Sequence, residues 1–499
     1  MGRIMNRDLM IQQLEATPEW DVCIIGGGAT GLGTALDAAS RGFKTILLEQ
    51  YDFAKGTSSR STKLVHGGVR YLQQGNIKLV LEALKERGLL LQNAPHLVHN
   101  QQFVVPNYKW WEKPFYGIGL KIYDKMAGKL GLGPSQFLSK EETLQLAPTL
   151  DPEDLKGGVS YHDGQFDDAR LAISIAQTAA EHGAVLLNYF PVAALLKMQQ
   201  KVCGVWAKDH STGKEYEIKS KVVINATGVF TDSIMKMDDA KHRNIISPSQ
   251  GIHLVVDKEF LPGGTAIMIP RTDDGRVLFA VPWHNKIVLG TTDTSVKKIA
   301  AEPVPMEEEI DFILKHIGRY LTKDPKRKDV KSMFAGLRPL VKSKSKKTAA
   351  LSRDHLIDVA DSGMITITGG KWTTYRKMAE DVVNIAIKEN HLKEAACITP
   401  DMKLHGHDQP APLFEIASLE RQQLKAVLKK AMEQEMCMTI EDLLSRRTRQ
   451  LLLDAHAAIA AAPVVAELMA EINNKDESWI KDEISRFNET AKHYLPILN

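Results

Sequence analysis

The sequence predicts a three-part α/β protein: a parallel sheet layered with helices, an antiparallel-sheet lobe, and an all-helical C-terminal domain. Three observations lead there. Short apolar runs at 21–25, 44–48, 184–188, 222–225, 287–290 and 364–368 read as buried strands, with helical patterns such as 171–182 between them. Residues 251–295 instead break into apolar runs at 252–256, 266–269, 277–281 and 287–289, separated by Gly, Pro and Asp-rich turns, which is the pattern of antiparallel sheet. From about residue 408 glycine nearly vanishes, and Leu, Ala, Glu, Lys and Arg recur at helical spacing. At 499 residues the chain is too long for one core.

The first part is the most explicit. Strand 21–25 runs into Gly26-Gly-Gly28-Ala-Thr-Gly31, a helix follows over 35–41, and strand 44–48 ends at Glu49 and Gln50. Gly26 allows the turn, Gly28 lets a pyrophosphate approach the backbone, and Gly31 brings helix and strand close. The helix N-terminus faces the phosphates together with Ala29 and Thr30, and Glu49 can take ribose hydroxyls. This is a Rossmann-like dinucleotide site, and the acid after the second strand disfavours NADP. The expected boundaries are 18–105, 165–250 and 335–398 for this domain. Residues 106–164 and 251–334 form a substrate lobe, and 399–499 the helical domain.

Composition excludes other classes. Lys+Arg 64 against Asp+Glu 61 leaves +3, too near balance for a nucleic-acid partner held by bulk charge. Cys23, Cys203, Cys397 and Cys437 lie far apart, so neither a disulfide framework nor a metal site is expected, and a reducing, cytoplasmic setting fits. Residues 1–20 lack the apolar run of a secretory signal. No window reaches the about 18 uninterrupted apolar residues of a membrane span; 455–470 comes nearest and is broken by His456, Pro463 and Glu467. Residues 321–350 are strongly basic, which reads as a solvated loop pair, an anionic membrane contact or a funnel for an anionic substrate.

The stretch 56–72, dense in Gly, Ser and Thr and then carrying His66, Arg70 and Tyr71, can lie flat beside a planar ring. It resembles the flavin-contacting segment of FAD-dependent glycerol-3-phosphate dehydrogenases, within the glycine oxidase and sarcosine oxidase superfamily. The resemblance continues through Asn225-Ala-Thr-Gly-Val-Phe-Thr-Asp232, Gly290-Thr-Thr-Asp-Thr294, Gly336-Leu-Arg-Pro-Leu340, Ser352-Arg-Asp354 and Gly369-Gly-Lys-Trp-Thr-Thr-Tyr-Arg-Lys377. Residues 439–449 and 462–470 are similar to that family's helical cap.

The resemblance implies FAD as cofactor, held by Gly26, Gly28, Ala29, Thr30, Gly31, Glu49, Gln50, Thr57, Ser58, Ser61, Lys63, Leu64, His66, Gly67, Gly68, Ala226, Thr227, Gly228, Gly370, Lys371 and Thr373. It implies glycerol 3-phosphate as substrate, bound by Arg70, Tyr71, His253, Arg338, Arg353 and Lys371. Guanidinium groups suit a phosphate dianion because they can bind it bidentately. His253 is the expected base for the substrate hydroxyl, with Arg70 and Lys371 as rivals or proton-path members; a hydrogen-bonded structural histidine is the weaker competing reading. The family pattern has a small residue where this chain has Ile252. His66 reads equally as a flavin neighbour or as turn packing.

Chain length and the lack of appended calcium-binding hands favour a bacterial, quinone-linked enzyme. Its expected place is peripheral, on the inner face of the cytoplasmic membrane, where 110–123 mixes aromatics with lysines; packing under the cap is the competing reading of that stretch. A homodimer stays open. The alternatives are an oxidase using dioxygen, a flavin amine or amino-acid oxidase, and a non-catalytic flavin-bound scaffold.

Overall fold

The computed structural model describes residues 5–68, 76–270, 272–342, 355–410 and 416–497. Its first sheet runs, in spatial order, His355–Val359, Ile365–Gly369, Glu215–Asn225, Trp20–Ile25, Thr45–Leu48 and Val185–Leu187. Trp20–Ile25 is parallel to both neighbours, and Val22, Cys23 and Ile24 are fully buried, as a two-sided parallel strand requires. The hairpin Val192–Met198 and Lys201–Lys208 extends this sheet antiparallel from Glu215–Asn225.

The helix after the glycine turn spans Ala29–Ser40, six residues earlier than the sequence pattern begins, because two glycines hide its first turns from a propensity reading. It packs between helices Asp168–Glu181 and Tyr375–Glu389. Gly33 permits the second contact: a β-carbon there would lie 2.7 Å from the Tyr375 ring.

The second sheet has ten strands. Ile246–Asp257 pairs antiparallel with Lys286–Gly290 and Val330–Val341, and Val98–Asn107 pairs with Gly157–Phe166. The run at 287–290, which fits both the parallel and the antiparallel pattern in the sequence, belongs here, since a strand buried on both faces reads alike in either sheet. The boundaries expected near 105, 164, 250 and 334 fall inside four of these strands, where continuous pairing leaves no break in composition. The strand Ile246–Asp257 sends Ile252, Leu254 and Val256 into the lobe core and Val255 toward the C-terminal helices.

The C-terminal domain is built from helices Arg421–Glu435, Ala455–Asn473 and Glu477–Ala491. Among the described residues Ala455–Asn473 is the one helix long and apolar enough to cross a membrane, and its Ala458, Ala462, Val465, Ala466 and Met469 are buried in this domain's own core. Between the helices, the short π-helix Asp442–Arg447 carries its arginines into the protein interior. Arg446 and Arg447 both bond the buried carboxylate of Asp52, Arg447 Nη2 at 2.9 Å from Oδ1. Arg446 also holds Glu441 at 2.9 Å and Asp442 at 2.8 Å, Arg170 grips Glu435 with two bonds of 2.7 and 2.8 Å, and Arg449 meets Asp167 at 2.9 Å.

Burial alone would raise the Asp52 pKa, but Arg447 and Arg446 outweigh it and hold the carboxyl below the ordinary range. A depressed carboxyl stabilises the fold above its unfolded pKa of about 3.9, and that contribution is lost as pH falls through the native value. Asp52→Ala strands two buried guanidinium groups and is expected to cost about 3–5 kcal/mol in denaturant unfolding. Asp52→Asn is expected to flatten the acid limb of the stability curve below about pH 4. A loss under about 1 kcal/mol in Asp52→Ala would show that the arginines are solvated instead.

Candidate active site

A cavity of about 380 Å³ opens at the carboxyl ends of the parallel strands, lined by Ile25, Leu48, Ala226 and Gly369 among others. Its floor is the glycine turn. A β-carbon on Gly31 would sit 1.8 Å from the Gly26 carbonyl oxygen, and one on Gly26 would sit 2.7 Å from the Ala226 oxygen, so both must be glycine for the turn to close on the neighbouring strand. The helix beginning at Ala29 has no acid in its first turn, and Gly28, Ala29 and Thr30 line the cavity, leaving a positive dipole end facing it. That donor set fits a pyrophosphate.

The loop after the second strand is tied to three separate elements. Ser58 Oγ accepts from the Ala29 amide (2.9 Å), Thr57 Oγ1 donates to the Leu337 carbonyl (2.5 Å), and Trp372 Nε1 donates to the Ser58 carbonyl (2.8 Å). Glu49 accepts the Gly27 amide at 2.6 Å and the Tyr51 amide at 2.8 Å. Burial still raises its pKa against these amides.

Of the residues expected to hold the cofactor, Gly26, Gly28, Ala29, Thr30, Glu49, Gln50, Thr57, Ser58, Ala226, Thr227, Gly228, Gly370 and Lys371 line the cavity. Gly31 lies beneath the turn. Ser61 and Lys63 turn inward: Ser61 Oγ is 2.7 Å and Lys63 Nζ 2.8 Å from the buried Asp168 carboxylate. Burial pushes Asp168 up and Lys63 down, each toward its uncharged form, against the pull of their pairing. Lys63 Nζ also sits over the Trp283 and Phe334 rings, 5.0 and 5.1 Å from their centroids. Leu64 pairs with Gln165 in the second sheet. The backbone of His66 meets the Thr373 hydroxyl at 3.3 and 3.4 Å, and Gly67 and Gly68 follow it. Arg70, Tyr71 and Arg353 lie outside the described residues.

His253 and Arg338 share one face of the second sheet. The His253 ring stacks on Phe334 at 4.9 Å, and its Nε2 is 2.9 Å from the Thr62 hydroxyl. Ile252 points into the opposite core, so its bulk does not press on that ring. The Arg338 guanidinium lies over Gly251, where a β-carbon would be 2.3 Å from Nη2. Arg338 Nη2 donates to the Thr292 carbonyl (3.0 Å) and Thr291 Oγ1 (3.2 Å), and Nη1 is 3.4 Å from Asp293. Its neighbour Pro339 lines the cavity. Burial first, then Lys63 and Arg338, drive the His253 pKa well below that of free imidazole, so the ring is neutral. Thr62 and Trp372 lie inside the stretches 56–72 and 369–377 but carry no role in the sequence reading, and Gly251 lies in no motif; a glycine inside a strand was the one signal that could have flagged it.

The basic stretch is largely paired where it is described. Lys323 meets Glu259, Arg327 meets Asp311, and Lys331 meets Asp257, which is the behaviour of a solvated surface.

Comparison with known proteins gives a consistent picture. Residues 21–376 match the family model "FAD dependent oxidoreductase", and residues 373–479 match "C-terminal domain of alpha-glycerophosphate oxidase". The chain is 41% identical to a mitochondrial glycerol-3-phosphate dehydrogenase of Bos taurus, over 98% of this chain and 75% of that one. The crystal structure of a glycerol-3-phosphate dehydrogenase from Bacillus halodurans complexed with FAD superimposes with a TM-score of 0.81 at 31% identity, covering 99% of this chain and 98% of that one. An L-alpha-glycerophosphate oxidase from Mycoplasma pneumoniae shares the fold, with a TM-score of 0.61 at 20% identity over 78% of this chain and 98% of its own.

Substituting Gly31→Val forces a side chain into the Gly26 carbonyl and is expected to yield protein with less than about a tenth of the normal bound flavin, read from visible absorption. Full flavin occupancy in that variant would mean that the turn is not what cradles the cofactor.

Proposed function

The chain belongs to the FAD-dependent glycerol-3-phosphate dehydrogenase family, and on that footing we propose that it passes electrons from glycerol 3-phosphate to a membrane quinone. It is an FAD-dependent oxidoreductase, and the family's reaction oxidises glycerol 3-phosphate, giving dihydroxyacetone phosphate. The observation carrying the site assignment is a fixed guanidinium, Arg338, next in sequence to a cavity-lining residue and on the same sheet face as a neutral, buried imidazole.

When bound, FAD supplies the hydride acceptor. The chain's own residues then divide the remaining work. Arg338, with Arg353 and Lys371, binds the substrate phosphate; Thr291, Thr292 and Asp293 hold the guanidinium in place. Arg70 and Tyr71 complete the substrate pocket. The His253 tautomer with its proton on Nε2, donated to Thr62, leaves Nδ1 bare to take the C2 hydroxyl proton, and Nδ1 has no hydrogen-bond partner among the described residues. Alignment of substrate and cofactor supplies much of the acceleration.

The membrane reading rests on the helix Glu112–Ala127 and the residues before it. Trp110 is 83% exposed, and Trp111, Phe115, Ile118 and Ile122 form an exposed stripe at helical spacing, flanked by the exposed Lys109, Lys121, Lys125 and Lys129. Apolar groups rimmed by ammonium groups suit an anionic lipid surface, which in the bacterial reading is the inner face of the cytoplasmic membrane.

Anaerobic addition of glycerol 3-phosphate is expected to bleach the flavin, and quinone should restore the colour faster than dioxygen; faster recovery with dioxygen would favour an oxidase. Arg338→Ala is expected to raise KM about tenfold to a hundredfold with FAD content intact, and an unchanged KM would remove it from the phosphate site. Because the His253 pKa is depressed, its bare form persists on acidification, so flavin reduction should hold steady as pH falls through about 6.5. A titration limb of His253 at that pH would contradict the lowered pKa. Phe115→Asp with Ile118→Asp is expected to abolish sedimentation with phosphatidylglycerol vesicles while sparing flavin reduction; sedimentation at the normal level would move the membrane surface elsewhere.

A further inference from the structure

We propose that Tyr123 is a positioning residue that ties the lipid-facing helix Glu112–Ala127 to the flavin-side turn His66–Gly68. The inference rests on the reading of that helix and that turn given above, and adds a physical connection between them.

The connection is a chain of buried hydrogen bonds. The Tyr123 hydroxyl donates to Asp163 Oδ2 (2.8 Å) and accepts the Gly67 amide (2.7 Å). Asp163 fixes that polarity, because an ionised carboxylate only accepts and the hydroxyl is left with a lone pair for the amide. Burial and the Asp163 charge both keep the phenol protonated. The other Asp163 oxygen accepts from Arg87 Nη1 at 2.8 Å, and Arg87 Nη2 donates to the Leu130 carbonyl at 3.3 Å, just beyond the end of the helix. Arg87, Tyr123 and Asp163 are all buried.

Geometry makes the connection stiff. Tyr123 projects inward with Leu120 and Ala127, while Phe115, Ile118 and Ile122 project outward, so a shift of the helix carries the hydroxyl with it. Gly67 has no slack: a β-carbon there would lie 2.6 Å from Tyr123 Oη and 2.5 Å from Leu84. One residue earlier, His66 is held on both its amide and its carbonyl by Thr373, two residues beyond the cavity-lining Lys371. The turn is thus clamped between the cavity wall and the outer helix, and misplacing such a turn by about 1 Å is enough to cost rate.

The test compares wild type, Tyr123→Phe and Asp163→Asn as FAD-loaded holoenzymes, by rapid-mixing anaerobic reduction with glycerol 3-phosphate. Each is measured with and without phosphatidylglycerol vesicles. The expected result is that vesicles change the wild-type reduction rate. Tyr123→Phe, retaining its FAD and its sedimentation with vesicles, should reduce about tenfold more slowly, with a shifted flavin absorption band and no response to vesicles. Asp163→Asn, which keeps the side-chain volume, should show the same signature in weaker form. A Tyr123→Phe protein with the wild-type rate, spectrum and vesicle response overturns the proposal, as does one that is merely less heat-stable. Wild-type flavin that is not bleached would instead overturn the substrate reading, and bleached wild type that never sediments with vesicles would overturn the membrane reading. These failures are distinguishable from that of Tyr123 itself.

Discussion

Asp52 is a carboxylate with no access to water, three residues beyond Glu49, and two guanidinium groups from the C-terminal domain neutralise it. A buried charge of that kind is tolerated only when it is paired and hydrogen-bonded. Residues 49–51 and 54–58, on either side of Asp52, wall the cavity, so their position depends on a junction formed by residues nearly 400 positions away. Lys55 repeats the pattern by bonding Glu441 at 2.7 Å, and Arg60 and Tyr494 both reach Glu302, at 2.6 and 2.7 Å. Replacing such a network with apolar side chains is often neutral for stability; what the charges add is one docking geometry, since any other leaves them uncompensated.

The strand Val330–Val341 links that docked framework to the chemistry. Its Leu337 carbonyl anchors Thr57 beside the glycine turn, Arg338 stands over Gly251 with His253 two residues along, and Pro339 returns to the cavity wall. Three consecutive residues therefore touch the cofactor-binding loop, the candidate phosphate site and the cavity. Phe334 on the same strand supports the His253 ring on one side and the Lys63 ammonium on another. A shift of this strand would disturb cofactor and substrate positions together.

How much was legible beforehand follows from the range of each interaction. The glycine turn, its flanking strands and Glu49 announce themselves because their chemistry is local, and the antiparallel lobe was readable because its turns punctuate it. Lys63 and Ser61 could not be seen to face inward, since their partner Asp168 lies more than 100 residues on. The arginines at 446, 447 and 449 looked like one polar segment of a helical cap; nothing local says that they are buried, because charge runs are ordinarily solvated. The exposed apolar stripe and the inward-packed residues of helix Glu112–Ala127 are separate sets of side chains, which the order of residues alone does not sort. They occupy opposite faces of one helix, with Phe115 and Ile118 outside and Leu120 and Tyr123 inside.

The most direct test of the whole account is a crystal structure of the FAD-loaded protein with glycerol 3-phosphate bound. The expected result places the phosphate within hydrogen-bonding distance of the Arg338 guanidinium and the Lys371 ammonium, with the C2 hydroxyl facing His253 Nδ1. A phosphate held on another wall, out of hydrogen-bonding reach of the Arg338 guanidinium, would contradict it.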